Sequence, residues 1–137
     1  MGMYTELYIA CQLKEDTPDT IIHDLKILQN VHSTNEFKSF PLVDSRYILR
    51  CCSAYFPGAP ISHLSFDNMG CWEFVNLSNL KNYTQQIQKF LAWLLPYIKN
   101  RSKHIGHIRY EENDLPTYLY INKDGELLFI NPPEWEE

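Results

Sequence analysis

The stretch that decides the fold is YTELYIACQLK, residues 4–14, near the start of the 137-residue chain. Its side chains alternate between two faces. The apolar face would carry Leu7, Ile9, Cys11 and Leu13, and the other face Glu6, Tyr8, Ala10 and Gln12. A period of two over about ten residues predicts a strand with one buried and one exposed face.

A helix is predicted directly after this strand. Thr17 is a suitable N-cap because its hydroxyl can accept a backbone hydrogen bond, and Pro18 fits the first helical position, where no amide donor is needed. The apolar stripe of this helix, which runs to about Gln29, consists of Ile21, Ile22, Leu25 and Leu28. Spacings of three and four residues predict one buried helical face.

A second helix is predicted from Asn82, because Asn82 and Gln85 have the spacing of a capping box. Pro96 should end or kink it, since proline lacks the amide donor that a helix interior needs. Six further strands are predicted over residues 46–56, 61–66, 71–78, 104–110, 117–122 and 126–130.

The resulting element order is βα-βββ-α-βββ. Two helices cannot cover both faces of such a sheet, so the sequence predicts an α+β fold with both helices on one face of a mostly antiparallel sheet of about six to seven strands. A ferredoxin-like or related sandwich is expected. Residues 1–137 should form a single domain, with residues 131–137 as a loose tail.

Composition excludes several classes of protein. Hydrophobic residues make up 45% of the chain and charged residues 21%, which indicates a globular protein rather than a disordered one. The net charge of −5 argues against a generally basic nucleic-acid binder. The start of the chain lacks the pattern of a signal peptide, and the longest apolar run, residues 90–95, is too short to span a membrane. We therefore expect a cytoplasmic protein without a membrane partner.

The four cysteines are predicted to be reduced thiols that pack as small apolar side chains. They are Cys11, Cys51, Cys52 and Cys71. Their spacing does not resemble a zinc site, and the sequence predicts no metal and no cofactor.

Aromatic residues supply the first candidate site. Tyr118 and Tyr120 should share one face of a strand, where Tyr8 or Trp72 could complete a platform for stacking. The same residues could instead fill a sheet face or a dimer contact. A second candidate is an aromatic pocket near His107, Arg109 and Tyr118, which would suit a small molecule or an enzyme.

Other candidates are weaker. His104 and His107 lie three positions apart, which on a regular strand places them on opposite faces. His63, Glu73 and His107 are the residue types of general acid–base catalysis, but no motif spacing joins them. The basic run of Lys99, Arg101 and Lys103 could contact phosphate, although a solvated helix end is the simpler interpretation.

Two stretches carry a resemblance to known proteins. Thr5–Lys14 followed by Asp16-Thr17-Pro18, and Ile105–Glu112 followed by Pro116-Thr117, resemble a small family of uncharacterised bacterial and phage-associated proteins. The resemblance implies a cytoplasmic accessory protein and implies no activity or catalytic residue.

These observations favour a non-enzymatic binding or interaction module with an unidentified partner. We expect a homodimer, because an uncharged aromatic sheet face or a free sheet edge would be covered by a second copy. A small-molecule binding protein or enzyme, and a weak nucleic-acid contact through residues 99–109, remain the alternatives.

Overall fold

The computed structural model shows an α+β fold built from one six-stranded antiparallel sheet and two helices. It describes residues 4–30, 35–42, 48–50, 61–66, 70–81, 85–112 and 115–131. The strands are β1 (Tyr4–Leu13), β2 (Ile61–Phe66), β3 (Trp72–Lys81), β4 (Lys103–Tyr110), β5 (Thr117–Ile121) and β6 (Leu127–Ile130). The helices are α1 (Asp19–Gln29) and α2 (Gln86–Leu94), the latter followed by a 3-10 turn at Leu95–Tyr97.

The strand order is β2-β3-β1-β4-β5-β6, so the first strand of the chain lies inside the sheet. β1 pairs with β3 along its whole length, from Tyr4 opposite Lys81 to Leu13 opposite Trp72. On its other side it pairs with β4. All neighbouring strands are antiparallel, as the sequence predicted.

The core lies on one face of β1. Burial alternates strictly along this strand, and Leu7, Ile9 and Leu13 are completely buried. Both helices contribute to the same cluster, which contains Ile21, Leu25 and Leu28 from α1 and Ile87, Phe90, Leu91 and Leu94 from α2. The predicted alternation is therefore confirmed, and the two helices cover the face that carries the odd-numbered residues of β1.

The predicted strand over residues 46–56 is wrong at residues 48–50. Residues 48–50 form a turn, and residues 46, 47 and 51–56 lie outside the described residues. Ile48 is nevertheless almost completely buried, and its carbonyl oxygen accepts a hydrogen bond of 2.9 Å from the hydroxyl of Ser78. Apolar side chains in this segment thus mark a loop that packs on the core.

Both predicted helix starts need correction. α1 begins at Asp19 with Pro18 as the cap residue, and the Thr17 hydroxyl donates to the carbonyl oxygen of Lys14 at 2.6 Å. Thr17 therefore closes the preceding turn. α2 begins at Gln86, because Gln85 has a left-handed φ of 58° that a continuous helix from residue 82 does not allow. The expected end of α2 before Pro96 is confirmed.

A buried carboxylate fastens a loop to α1. Asp24 is fully buried and accepts hydrogen bonds from the backbone amides of Lys38, Ser39 and Phe40 at 2.9, 2.6 and 2.7 Å. His23 Nδ1 lies 2.9 Å from the same carboxylate. Burial alone raises the pKa of Asp24, but these hydrogen bonds outweigh it and hold the pKa below its ordinary value.

Candidate functional site

The sheet face opposite the helices is the candidate site, and we call it the open face. On β1 it carries Tyr4, Glu6, Tyr8, Ala10 and Gln12, all of them half-buried. Residues that pair directly across neighbouring strands share a face, so the register extends this surface onto β4 and β5. No helix from the described part of the chain contributes its buried residues to this side.

A β-bulge in β4 brings two histidines onto the open face. His104 lies opposite Tyr120 and His107 lies opposite Tyr118, with a register shift between His104 and Gly106. Tyr118 and Tyr120 are two positions apart and share a face, so both histidines share it too. The expectation that His104 and His107 face opposite sides is therefore wrong, because the bulge adds one residue between them.

The aromatic rings of this region contact one another. The Tyr8 and His107 ring centroids lie 5.4 Å apart, and the His104 ring lies 5.6 Å from Tyr118 and 5.1 Å from Tyr120. These separations are typical of attractive aromatic pairs. We call Tyr8, His104, His107, Tyr118 and Tyr120 the aromatic cluster.

A charged group borders the aromatic cluster. Glu6 Oε1 lies 2.8 Å from His107 Nε2 and 4.0 Å from Arg109 Nε. Arg109 lies opposite Glu6 in the β1–β4 register. The sequence placed Arg109 at the site but missed Glu6. The contact orients the His107 ring by a hydrogen bond through Nε2.

The centre of the cluster is a shallow depression of about 280 Å³. Ala10 and Gly106 have the smallest side chains among the residues that line it, and Tyr8, His104, His107 and Tyr118 supply its rings. A second depression of about 270 Å³ also includes Ala10 and extends towards Gln12, Glu73 and Asn100. The shared Ala10 makes the two depressions neighbours on the open face.

Trp72 does not belong to the aromatic cluster. It lies opposite Leu13, whose side chain is in the core, so the structure places it on the helix-covered face. There it packs edge-on against Phe66 at 5.3 Å and receives the ammonium group of Lys26 at 5.7 Å from its ring centre. Its assignment to the platform with Tyr118 was wrong because local spacing does not show which face of β3 is covered.

Two side chains of the basic run contact separate parts of the protein. Lys99 Nζ lies 2.9 Å from Cys71 Sγ, and Arg101 donates to the carbonyl oxygen of Lys123 at 3.2 Å. Lys99, Arg101 and Lys103 are exposed, as expected. Cys71, the partner of Lys99, directly precedes β3, and Lys123, the partner of Arg101, lies in the turn between β5 and β6.

The acid–base candidates are also separated. His63 lies on β2 with Nε2 2.9 Å from the Ser65 hydroxyl, and Glu73 lies on β3 opposite Gln12. His107 lies on β4, three strands from His63, which corresponds to about 14 Å at the usual strand spacing. Within the described residues, no group of three or more His, Cys, Asp or Glu side chains could hold a metal ion.

Sequence reasoning missed Glu6, His104, Ala10 and Gly106 as site residues. A signal was available for Gly106, because a glycine inside a strand pattern often marks a bulge or a close approach of another backbone. For the other three residues, only the register between β1, β4 and β5 shows that they meet.

Comparison with known families, curated proteins and solved structures gave no match for this chain. The resemblance to bacterial and phage-associated proteins therefore stays a prediction. Among the described helices, none is long and apolar enough to cross a membrane.

Proposed function

We propose that this chain is a non-enzymatic binding module whose ligand surface is the aromatic cluster. The observation that carries the proposal is the bulge in β4, which gathers His104 and His107 beside Tyr118 and Tyr120 on the sheet face that the described helices leave open. The ligand would be a planar aromatic or heteroaromatic group that stacks on these rings above Ala10.

The chemistry of the rings supports this ligand class. Tyrosine and histidine rings offer flat π faces, and stacking on such a face is worth about 1–3 kcal/mol for a nucleobase. Glu6 and Arg109 at the border add one acceptor and one donor that can orient the polar edge of a planar group. The Glu6–His107 hydrogen bond keeps one ring fixed before the ligand arrives.

The shape of the site favours a group that belongs to a larger partner. Small-molecule pockets usually measure about 300–1,000 Å³ and enclose most of their ligand. The depression is shallower and opens to solvent, so it suits an aromatic side chain presented by a partner protein. A free small molecule, bound or turned over near His107, Arg109 and Tyr118, is the alternative.

The fold itself has a finer interpretation that we also propose. β3 lies between β1 and β2, and β1 lies between β3 and β4. Each of the two β-α-β units is therefore split by a strand of the other unit. This arrangement is that of a ferredoxin-like unit, with β5 and β6 added as a hairpin at one edge. Cytoplasmic location and an accessory role in a bacterium or phage are part of the same proposal.

The experiment uses simple aromatic compounds as ligands. Amide chemical shifts of the 15N-labelled protein are followed while N-acetyltryptophanamide or adenosine is added to about 20 mM. We expect saturable shifts at residues 8–10, 104–107 and 118–120, and at least about a fivefold loss of affinity in Tyr118→Ala. The matched control is Tyr110→Ala, because Tyr110 is 38% exposed and Tyr118 41%, but Tyr110 lies opposite Thr5 on the other face.

Two results would contradict the proposal. One is the absence of shifts in these three segments with either compound, and the other is an equal loss of affinity in both variants. Adenosine monophosphate tests the nucleic-acid alternative. The basic run is the binding site if only this compound binds and if rising salt weakens its binding steeply. Changing Lys99, Arg101 and Lys103 to alanine should then abolish the binding.

A further inference from the structure

The last strand of the sheet, β6, has a free edge among the described residues. It pairs with β5 on one side, and none of the other described strands is hydrogen-bonded to it. Leu128, Phe129 and Ile130 are exposed although they point to both faces of the sheet. Soluble proteins usually protect such an edge with charged side chains, bulges or proline. Residues 127–131 include no charged side chain and no proline.

The β5–β6 hairpin determines which backbone groups are available at this edge. The amide of Asn122 donates to the carbonyl oxygen of Glu126 at 3.0 Å, and the amide of Glu126 donates to Oδ1 of Asn122 at 2.9 Å, so these two residues occupy a hydrogen-bonded site at the end of the hairpin. Hydrogen-bonded pairs recur at every second position of an antiparallel ladder, which makes Tyr120–Leu128 and Tyr118–Ile130 the next ones. The amide and carbonyl groups of the intervening residues on β6 therefore point away from β5. These residues are Leu127, Phe129 and Asn131.

We propose that β6 pairs with β6 of a second copy of this chain, antiparallel and centred on Phe129. In this register Phe129 lies opposite Phe129 of the second copy, and Leu127 lies opposite Asn131. All three outward-pointing positions then form hydrogen-bonded pairs, which gives about six new backbone hydrogen bonds. The proposal concerns the sheet edge and does not depend on ligand binding at the aromatic cluster.

Symmetry and side chains select a second copy as the occupant. A two-fold axis perpendicular to the sheet keeps the side chains of both copies on their original faces. Directly paired residues share a face, so their residue numbers must both be odd or both be even. Centring on Phe129 meets this condition and places Leu128 opposite Ile130 of the second copy, on the open face. No charged side chain faces another within residues 127–131, whereas like charges directly opposite would oppose pairing. The contact is isologous and closes at two copies.

The expected strength follows from the size of the edge. Five residues on each side bury less than the roughly 1,200–2,000 Å² of a stable standard interface. We therefore expect a weak, reversible dimer whose population rises with protein concentration. Because the faces are preserved, the aromatic clusters of both copies would look towards the same side.

Sedimentation equilibrium from about 5 to 500 µM tests the association. Phe129→Lys places two like charges opposite each other at the axis, so we expect the dimer to weaken at least about tenfold. Phe66→Lys is the matched control, since Phe66 is 53% exposed on the opposite edge strand and Phe129 is 44% exposed. This variant should associate like the wild type.

Cross-linking tests the register independently of any loss of stability. Paired residues at a hydrogen-bonded site have Cα atoms about 5.5 Å apart, a distance that a disulfide can span. Phe129→Cys should therefore form a covalent dimer under mild oxidation, while Leu128→Cys, whose copies are not opposite each other, should do so far more slowly. The wild-type chain, oxidised in parallel, shows any contribution from the native cysteines.

The proposal is overturned by a wild-type monomer at 500 µM, by equal weakening in both lysine variants, or by equal cross-linking at positions 128 and 129. A variant that ends at Asn131 tests whether the last six residues occupy the edge of β6. If this shortened chain dimerises and the full chain does not, residues 132–137 occupy the edge and a second copy does not.

Discussion

Gly106 lies against the backbone of Tyr8 so closely that a Cβ atom on Gly106 would overlap the Tyr8 carbonyl oxygen. The glycine has a φ of 156° and stands opposite Ile9 in the β1–β4 register. It directly follows Ile105, the extra residue of the bulge that brings His104 onto the open face. The approach of two backbones at this point thus supports the geometry of the aromatic cluster.

Gly106→Ala should destabilise the protein by roughly 2–4 kcal/mol, because the overlap is with backbone that cannot rotate away. Urea unfolding measures the change in the free energy of unfolding. Gly125→Ala is the control. Its φ of 84° is strained for alanine, but its Cβ would meet only the mobile end of Arg101, at 3.2 Å, so a loss of roughly 1 kcal/mol is expected. Equal losses in the two variants would contradict the tight β1–β4 approach.

Asp24→Asn should cost roughly 2–4 kcal/mol at neutral pH. The neutral amide accepts fewer and weaker hydrogen bonds than the carboxylate, and its NH2 group faces backbone donors. The exposed Asp19 in the first turn of the same helix supplies the control, and Asp19→Asn should change stability by less than about 1 kcal/mol. Comparable effects at the two positions would show that the carboxylate does not hold the loop.

The same carboxylate predicts a pH dependence. The pKa of Asp24 is lowered in the folded protein, so its contribution is fully present above the unfolded pKa of about 3.9 and is lost as the pH falls through the folded value. Wild-type stability should therefore fall more steeply than that of Asp24→Asn as the pH drops below about 5. Urea midpoints measured at pH 7, 5, 4 and 3 check this, and parallel curves for the two proteins would refute it.

Cys11 should be an unreactive thiol in the folded protein. It is 7% exposed, and burial raises its pKa to about 12, so almost none of it is thiolate at neutral pH. Titration with a disulfide reagent at pH 8 should modify Cys11 only after denaturation, with Cys11→Ser as the control that identifies its signal. In denaturant without reductant, close to four thiols should be found, as the sequence predicts. Cys11 and Cys71 are reduced in the structure, while Cys51 and Cys52 lie outside the described residues.

Changing Lys99, Arg101 and Lys103 together to alanine should leave the protein folded. Each side chain is exposed, and exposed charges usually change stability by less than about 0.5 kcal/mol. Thermal unfolding should therefore show a loss of no more than about 1.5 kcal/mol. Complete unfolding would mean that the contacts of Lys99 with Cys71 and of Arg101 with Lys123 are structural.

The parts of the fold that depend on local chemistry could be predicted from the sequence. Alternation in residues 4–14 identified β1 and its buried face, because a strand repeats every two residues wherever it lies in a sheet. Pro96 ended α2, since a missing amide donor acts within a single turn. The turn Lys123-Asp124-Gly125 closes the β5–β6 hairpin, and Gly125, at a positive φ that favours glycine, is the local sequence signal for it.

Local patterns failed where a packing partner distant in the chain took over. Apolar residues at 48–50 resemble a strand, yet they form a turn that reaches the core next to Ser78. Thr17 and Asn82 have the sequence of helix caps, but turn closure and the left-handed Gln85 set the helix starts. In the sequence, Asp24 looks like any other polar residue of the helix. Only its hydrogen bonds with the amides of residues 38–40 show that it holds a loop.

The candidate site was decided by tertiary structure. Tyr118 and Tyr120 could be placed on one face from their spacing, but Glu6 and His107 are separated by 101 positions in the chain. Their contact exists because β4 lies beside β1 in one particular register, with His107 opposite Tyr8 and Arg109 opposite Glu6. The bulge at Ile105 then adds His104 to the same face. Local spacing determines which residues share a face of a regular strand. Which strands become neighbours, and where an extra residue shifts the alternation, depends on how the whole core packs.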